Sequence, residues 1–100
     1  MQVYEIFGED GRLVGLEINR FPLGRRGLCR IVRSIPRVRL RKTPRFLSWF
    51  SEEPFCVFEL NGELYVASNR AGEEGRYRVG PKTPGVCSQM EHVRDAFLRR

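Results

Sequence analysis

Arginine is the residue type in this sequence best suited to recognition chemistry, and it is unevenly distributed. No acidic residue lies between Glu17 and Glu52, whereas that interval carries ten basic residues: Arg20, Arg25, Arg26, Arg30, Arg33, Arg37, Arg39, Arg41, Lys42 and Arg45. Of the 18 Lys and Arg residues, 8 lie elsewhere against 12 acidic residues, so the remainder has a net charge of −4 while the whole chain has +6. Like charges gathered in one segment repel each other, so the pattern predicts an acidic partner.

The first element that would position these arginines is a helix. Apolar residues recur at i, i+3, i+4 and i+7, as an amphipathic helix requires, at Leu28, Ile31, Val32 and Ile35. Pro36 then ends the helix, because proline cannot continue it. We expect Arg26, Arg30 and Arg33 on the opposite side, in solvent.

The second element is a short strand. Residues 37–41 alternate between arginine and apolar side chains, which predicts a strand with Arg37, Arg39 and Arg41 on one face. An aromatic segment follows, and Thr43-Pro44 is typical of a helix start, so we expect a short helical turn near 44–51 that contains Trp49.

The remaining elements are two hairpins, one further strand and a C-terminal helix. Turn sequences at residues 8–11 and at Asn61-Gly62 predict strand pairs 2–7 with 12–19 and 55–60 with 63–68. The second hairpin would place Phe58 opposite Tyr65 and Val57 opposite Val66. Residues 76–80 predict a strand with Tyr77 and Val79 on one side. The last helix would begin with a capping box of Ser88 and Glu91 and bury apolar residues at Met90, Val93 and Phe97.

These elements predict an α+β fold of a single two-layer domain over residues 1–100. We expect a mixed or antiparallel sheet of about five to six short strands with two main helices, in the order β-β-α-β-β-β-β-α. The apolar and aromatic content is too high for a disordered tail. No apolar run reaches the roughly 18 residues that span a bilayer, and no signal peptide is recognisable, so we expect no membrane contact and a cytoplasmic location.

Enzymatic and metal chemistry have little support in the sequence. Cys29, Cys56 and Cys87 are widely spaced and odd in number, which fits neither a disulfide framework nor a zinc site and predicts buried free thiols. Arginines near Cys29 would lower the pKa of its thiol, while burial would raise it. His92 falls on the solvent side of the last helix. We therefore expect no enzyme, no cofactor and no metal.

Part of the chain resembles a small uncharacterised family of bacterial proteins. The residues that carry the resemblance are Phe46-Leu-Ser-Trp-Phe50, Glu52-Glu-Pro-Phe-Cys-Val-Phe-Glu59, Asn61-Gly62 and Arg76-Tyr-Arg-Val-Gly-Pro81. The family is of the accessory kind carried on mobile elements such as integron cassettes. The resemblance implies no activity.

Two functions fit the arginines. The first is a non-enzymatic domain that recognises an acidic protein surface through Arg26, Arg30, Arg33, Arg37, Arg39 and Arg41, with Trp49 as an aromatic anchor. The second is a nucleic-acid-binding protein in which the same arginines hold phosphates and Phe46, Trp49 or Tyr77 stacks on bases. Self-association as a homodimer is a third alternative, since an unpaired strand edge can join two sheets.

Overall fold

The structure is a computed structural model that describes residues 2–19, 21, 23–42, 54–69 and 75–99. Its elements occur in the predicted order: β1 (Val3–Phe7), β2 (Leu13–Asn19), α1 (Gly24–Arg33), β3 (Arg39–Lys42), β4 (Cys56–Leu60), β5 (Glu63–Asn69), β6 (Arg76–Pro81) and α2 (Met90–Leu98). The α+β prediction is confirmed. The helical turn expected near 44–51, with Trp49, lies outside the described residues.

The six strands form one antiparallel sheet in the order β1-β2-β6-β5-β4-β3. The first hairpin pairs through β2 with β6, the last strand in sequence. β6 therefore lies in the middle of the sheet, between β2 and β5. Within the described residues, β1 and β3 are the two edges. The β4–β5 hairpin is flanked by β3 and β6, so both of its strands are internal to the sheet.

Both helices pack on one face of this sheet. Buried residues of α1 and α2 belong to the same hydrophobic core as alternate residues of the strands. The largest fully buried side chains are Tyr65, Phe55, Phe58 and Phe97. As predicted, the apolar stripe of each helix is buried, including Leu28 and Val32 in α1 and Met90 and Val93 in α2. The helices and the sheet therefore form two layers around one hydrophobic core.

The opposite face of the sheet carries neither helix, and we call it the open sheet face. Its side chains alternate with those of the core, and cross-strand pairs define it: Tyr4 with Glu17, Glu17 with Arg78, Arg78 with Ser68, Val66 with Val57, and Glu59 with Arg39. Most of these side chains are half-buried, whereas Arg39 and Arg78 are exposed.

The Asn61-Gly62 turn was correctly predicted. Asn61 has φ 51° and Gly62 has φ 82°, the positive values that a type I′ turn requires. The turn fixes the register, so Phe58 pairs with Tyr65 and Val57 with Val66. The rings of Phe58 and Tyr65 stack with centroids 5.6 Å apart.

The predicted capping box of α2 is wrong. Among the described residues, no side chain caps this helix, and its N-cap residue is Gln89. Ser88 instead donates a hydrogen bond of 2.6 Å to Glu63 on β5. Glu63 also accepts one of 2.6 Å from Tyr65, whose oxygen accepts the Gln89 amide at 3.0 Å. A β5 carboxylate therefore replaces the local cap and ties α2 to the sheet.

Candidate functional site

Three predicted site residues lie together on the solvent side of α1, and we call Arg26, Arg30 and Arg33 the helix stripe. All three are exposed, while Leu28, Cys29, Ile31 and Val32 of the same helix are buried. Residues at i, i+4 and i+7 lie on one side of a helix, so the stripe is about 10 Å long. In the described part of the chain, none of the three forms an ion pair.

The position of Arg26 is electrostatically unfavourable within the helix. It lies in the first turn of α1, which has no acidic residue, whereas Arg30 and Arg33 lie in the last turn. Cations stabilise the C-terminal end of a helix and destabilise the N-terminal end, by about 0.3–1 kcal/mol. Helix stability therefore accounts for Arg30 and Arg33, but it gives no reason for Arg26.

Arg25 has a structural role in addition to its charge. Its guanidinium lies 5.1 Å from the centre of the buried Phe55 ring, a cation–π contact that holds the start of α1 against the residue that precedes β4. Arg25 and Arg26 are adjacent in sequence, yet one packs on the core and the other faces solvent. Only Arg26 is therefore available to a partner.

Arg37 is set apart from the other predicted site residues, and the strand expected from residue 37 begins only at Arg39. Pro36 and Arg37 instead form a turn closed by a 3.2 Å hydrogen bond from the Val38 amide to the Ile35 carbonyl. Proline at the second position and a positive φ at the third position are typical of a type II turn, whose third residue is usually glycine or asparagine. Arg37 occupies that position with φ 70°.

Arg39 and Arg41 lie on the open sheet face, and the sheet separates them from the helix stripe. Arg39 pairs across the strands with Glu59, and the Arg41 guanidinium hydrogen-bonds the Glu59 carboxylate. This hydrogen bond and the positive charge lower the pKa of Glu59. The β3–β4 register shifts between Leu40 and Lys42, so a β-bulge interrupts the predicted ladder of three arginines.

Two further arginines on the open sheet face were missed by the prediction. Arg76 binds the buried Glu17 carboxylate at 3.0 Å and lies 3.7 Å above the Tyr4 ring. Arg78, two residues on, is exposed. The alternation Arg76-Tyr-Arg-Val contained this signal, but the strand order was needed to place these arginines beside residues from β2 and β5.

Of the three aromatic residues predicted to contact a ligand, the structure describes only Tyr77. Trp49 and Phe46 lie outside the described residues. Tyr77, proposed to stack on bases, is buried and packs edge-to-face on Phe55 with ring centroids 5.1 Å apart, so that role was wrongly assigned. Phe21, which the prediction missed, is 89% exposed and lies three residues before α1 begins.

All three cysteines are free and buried, as predicted. Cys56 hydrogen-bonds Cys29, which lowers the pKa of Cys29, and the charge of Arg33 lowers it further, although burial opposes both effects. The same hydrogen bond and burial raise the pKa of Cys56. With Cys29 only 6% exposed, its thiol has poor access to a substrate. His92 is exposed, as predicted. Among the described residues, no group of three His, Cys, Asp or Glu side chains is placed to hold a metal.

No protein-family model, no curated protein and no solved structure matches this chain. The resemblance to mobile-element accessory proteins therefore remains a prediction. None of the helices in the described ranges combines the length and the apolarity needed to cross a membrane.

Proposed function

We propose that this chain is a non-enzymatic binding domain that recognises an acidic surface on another protein through the helix stripe. The observation that carries the proposal is the exposed row Arg26, Arg30 and Arg33, unpaired within the described residues. Arg26 is held at the helix end that disfavours a cation. A charge kept at an unfavourable position without an intramolecular partner is best explained by an external one.

The shape of the helix stripe indicates the partner's chemistry. Three guanidinium groups spaced over about 10 Å match carboxylates at i, i+4 and i+7 of another helix. Arginine suits such a contact because its planar fork can bind a carboxylate through two hydrogen bonds. Charge pairs of this kind accelerate and orient the encounter more than they strengthen it.

Phe21 supplies the apolar part of the proposed interface. Few residues dominate a protein interface, and these are usually buried aromatic or arginine side chains surrounded by near-neutral contacts. At 89% exposure, Phe21 has nearly its whole ring available for burial by a partner. A single exposed phenylalanine is common on monomers, so its position three residues before α1, the helix that carries the stripe, is what gives it weight here. It takes the anchoring role that the sequence assigned to Trp49.

Nucleic-acid binding is the second candidate, and the open sheet face is the observation that favours it. Arg39 and Arg78 are exposed on this face and lie three strands apart, a separation of about 14 Å. Single-stranded nucleic acids, however, also need aromatic surfaces for their bases. Tyr4 is the one aromatic side chain that the described cross-strand pairs place on this face, and Arg76 covers its ring. The acidic-protein proposal is therefore preferred.

Self-association through β3 is disfavoured by the same arginines. A free strand edge can pair with a second copy, and charged side chains on edge strands oppose such pairing. Arg39 and Arg41 lie on this edge, so two copies joined along β3 would bring like charges together. The homodimer remains an alternative through β1.

Fluorescence anisotropy tests the proposed function. The labelled probes are an alanine-based helical peptide with Glu at i, i+4 and i+7, single- and double-stranded DNA, and single-stranded RNA, titrated at about 50 and 200 mM salt. We expect the peptide to bind at both salt concentrations and the nucleic acids to bind weakly and indiscriminately at the lower one. A nucleic-acid preference that survives the higher salt would replace this proposal with the second candidate.

A further inference from the structure

A cleft with a volume of about 370 Å³ lies beyond the C-terminal end of α1. Three separate parts of the chain form it: the turn after α1, the turn between β4 and β5, and α2. Its apolar side comes from Pro36, which is exposed, and from the buried Ile35 and Leu60, and its polar side includes Arg37, His92 and Arg99. Its volume is within the range of small-ligand sites, about 300–1,000 Å³.

The conformation of Arg37 indicates that its side chain has a role in this cleft. The third position of its turn favours glycine, and a positive φ costs an arginine about 1–2 kcal/mol. Arg37 has φ 70°, and within the described residues its side chain forms no hydrogen bond or ion pair that would offset this cost. Strained backbone conformations that no structural contact explains are common at ligand sites.

The cleft is positively charged and keeps free donors. In the described part of the chain, the side chains of Arg37, His92 and Arg99 form no hydrogen bond or ion pair. The carboxylate in the cleft, Asp95, lies 3.2 Å from Nε of Arg94. Arg94 also forms an ion pair with Glu5 at 3.1 Å, so the charge of Asp95 is only partly neutralised. The Asp95 carboxylate can therefore still accept a hydrogen bond from a ligand.

We propose that this cleft, which we call the turn cleft, binds a phosphate monoester with a flat apolar body. Arg37 and Arg99 hold the phosphate oxygens, as arginine commonly does, and the apolar body covers Pro36, an exposed apolar residue of the lining. Asp95 accepts a hydrogen bond from the monoprotonated phosphate, which is accessible because phosphate monoesters titrate near pH 6. A carboxylate ligand offers no such proton at neutral pH, so the donor set favours the phosphate. The site is independent of the helix stripe.

Phenyl phosphate, inorganic phosphate and phenol test this proposal, because the second and third probes each carry one half of the first. We titrate the full-length ¹⁵N-labelled chain with each probe and follow the backbone amide resonances by NMR. Phenyl phosphate is expected to bind saturably with a Kd of about 1 mM or tighter. The largest shifts should occur at residues 35–38, 60–61 and 89–99. Phenol should not saturate.

Two variants and one control locate the site. Arg37→Gly suits the turn and removes the guanidinium, and Arg99→Gln removes the second one. Each should weaken phenyl phosphate binding about tenfold, the change that corresponds to the loss of one charge-assisted hydrogen-bonding partner. Arg26→Gln removes the same charge from the helix stripe and should change the Kd less than about twofold. The proposal is overturned by the absence of saturable binding, by equal affinity for phenol, or by an Arg26→Gln loss as large as that of Arg37→Gly.

Discussion

Replacing Arg37 with glycine should stabilise the fold. The residue has φ 70° at the third position of its turn, a conformation that costs a non-glycine residue about 1–2 kcal/mol. Glycine removes that cost but gains more freedom in the unfolded chain, which offsets about 0.4–1 kcal/mol. The difference is a net stabilisation of about 0.5–1 kcal/mol. For a chain of 100 residues, the melting temperature should rise by about 2–8 °C.

Arg30→Gly is the matched control for this prediction. It removes the same charge from another exposed site, but Arg30 lies within α1 at a helical conformation. Glycine in a helix interior costs about 0.5–1 kcal/mol, so its melting temperature should fall. Thermal unfolding followed by circular dichroism, with urea unfolding as a second measure, compares the two variants. If Arg37→Gly lowered stability as much as Arg30→Gly does, the assignment of strain to Arg37 would be refuted.

Two further predictions concern the turn and the network that hold the fold. Gly62 has φ 82°, and among the described residues a Cβ there would meet no atom within 4 Å, so Gly62→Ala acts through backbone conformation. The positive φ costs alanine about 1–2 kcal/mol and the lower freedom of the unfolded chain offsets about 0.4–1 kcal/mol, so the free energy of unfolding should fall by about 0.5–1 kcal/mol. A decrease below about 0.3 kcal/mol in urea unfolding would contradict this. Hydrogen bonds from Ser88 and, to a smaller extent, from Tyr65 lower the pKa of Glu63 in the folded chain. The charged carboxylate therefore stabilises the fold fully above the unfolded pKa, near 4.3, and this stabilisation is lost as the pH falls through the lower pKa of the folded chain. Glu63→Gln should therefore cost about 1 kcal/mol at pH 7, after discounting for solvent exposure, and progressively less below about pH 4; a cost independent of pH would show that the charge has no part in it.

The elements whose sequence signals are local were predicted well. The period of Leu28, Ile31, Val32 and Ile35 identified α1 and its buried side, and Asn61-Gly62 fixed both the hairpin and its register. Such signals act over a few residues, so neighbouring parts of the chain do not alter them. The missed cap of α2 shows the limit: Ser88 had a suitable partner three residues away, but Glu63 on β5 offered a better one.

The arrangement of the arginines could not be predicted from their spacing. Arg33 and Arg39 are only six residues apart, yet the sheet lies between them because the chain turns from the helical layer into the edge strand. Arg39 and Arg78 are far apart in sequence and share the open sheet face. Strand order decides both outcomes, and long-range pairing leaves no local pattern. The strain at Arg37 was equally hidden, since the turn forms only after Pro36 ends the helix.

The most direct test of the helix stripe compares three double variants that each remove two positive charges. Arg26→Gln with Arg30→Gln changes the helix stripe, Arg39→Gln with Arg78→Gln changes the open sheet face, and Arg12→Gln with Lys82→Gln is the control at exposed sites in the β1–β2 turn and directly after β6. Binding of the glutamate-bearing helical peptide is measured by anisotropy at about 150 mM salt. At this concentration, interactions between exposed charges more than about 8 Å apart are largely screened.

We expect only the helix-stripe variant to lose affinity, by about tenfold, as two surface charge pairs of up to about 1 kcal/mol each would give. The other two variants should stay within about threefold of the unmodified chain. Equal losses in all three would show that net charge alone attracts the peptide. A loss confined to the open-sheet-face variant would contradict the proposed interface and move the binding site to the opposite side of the molecule.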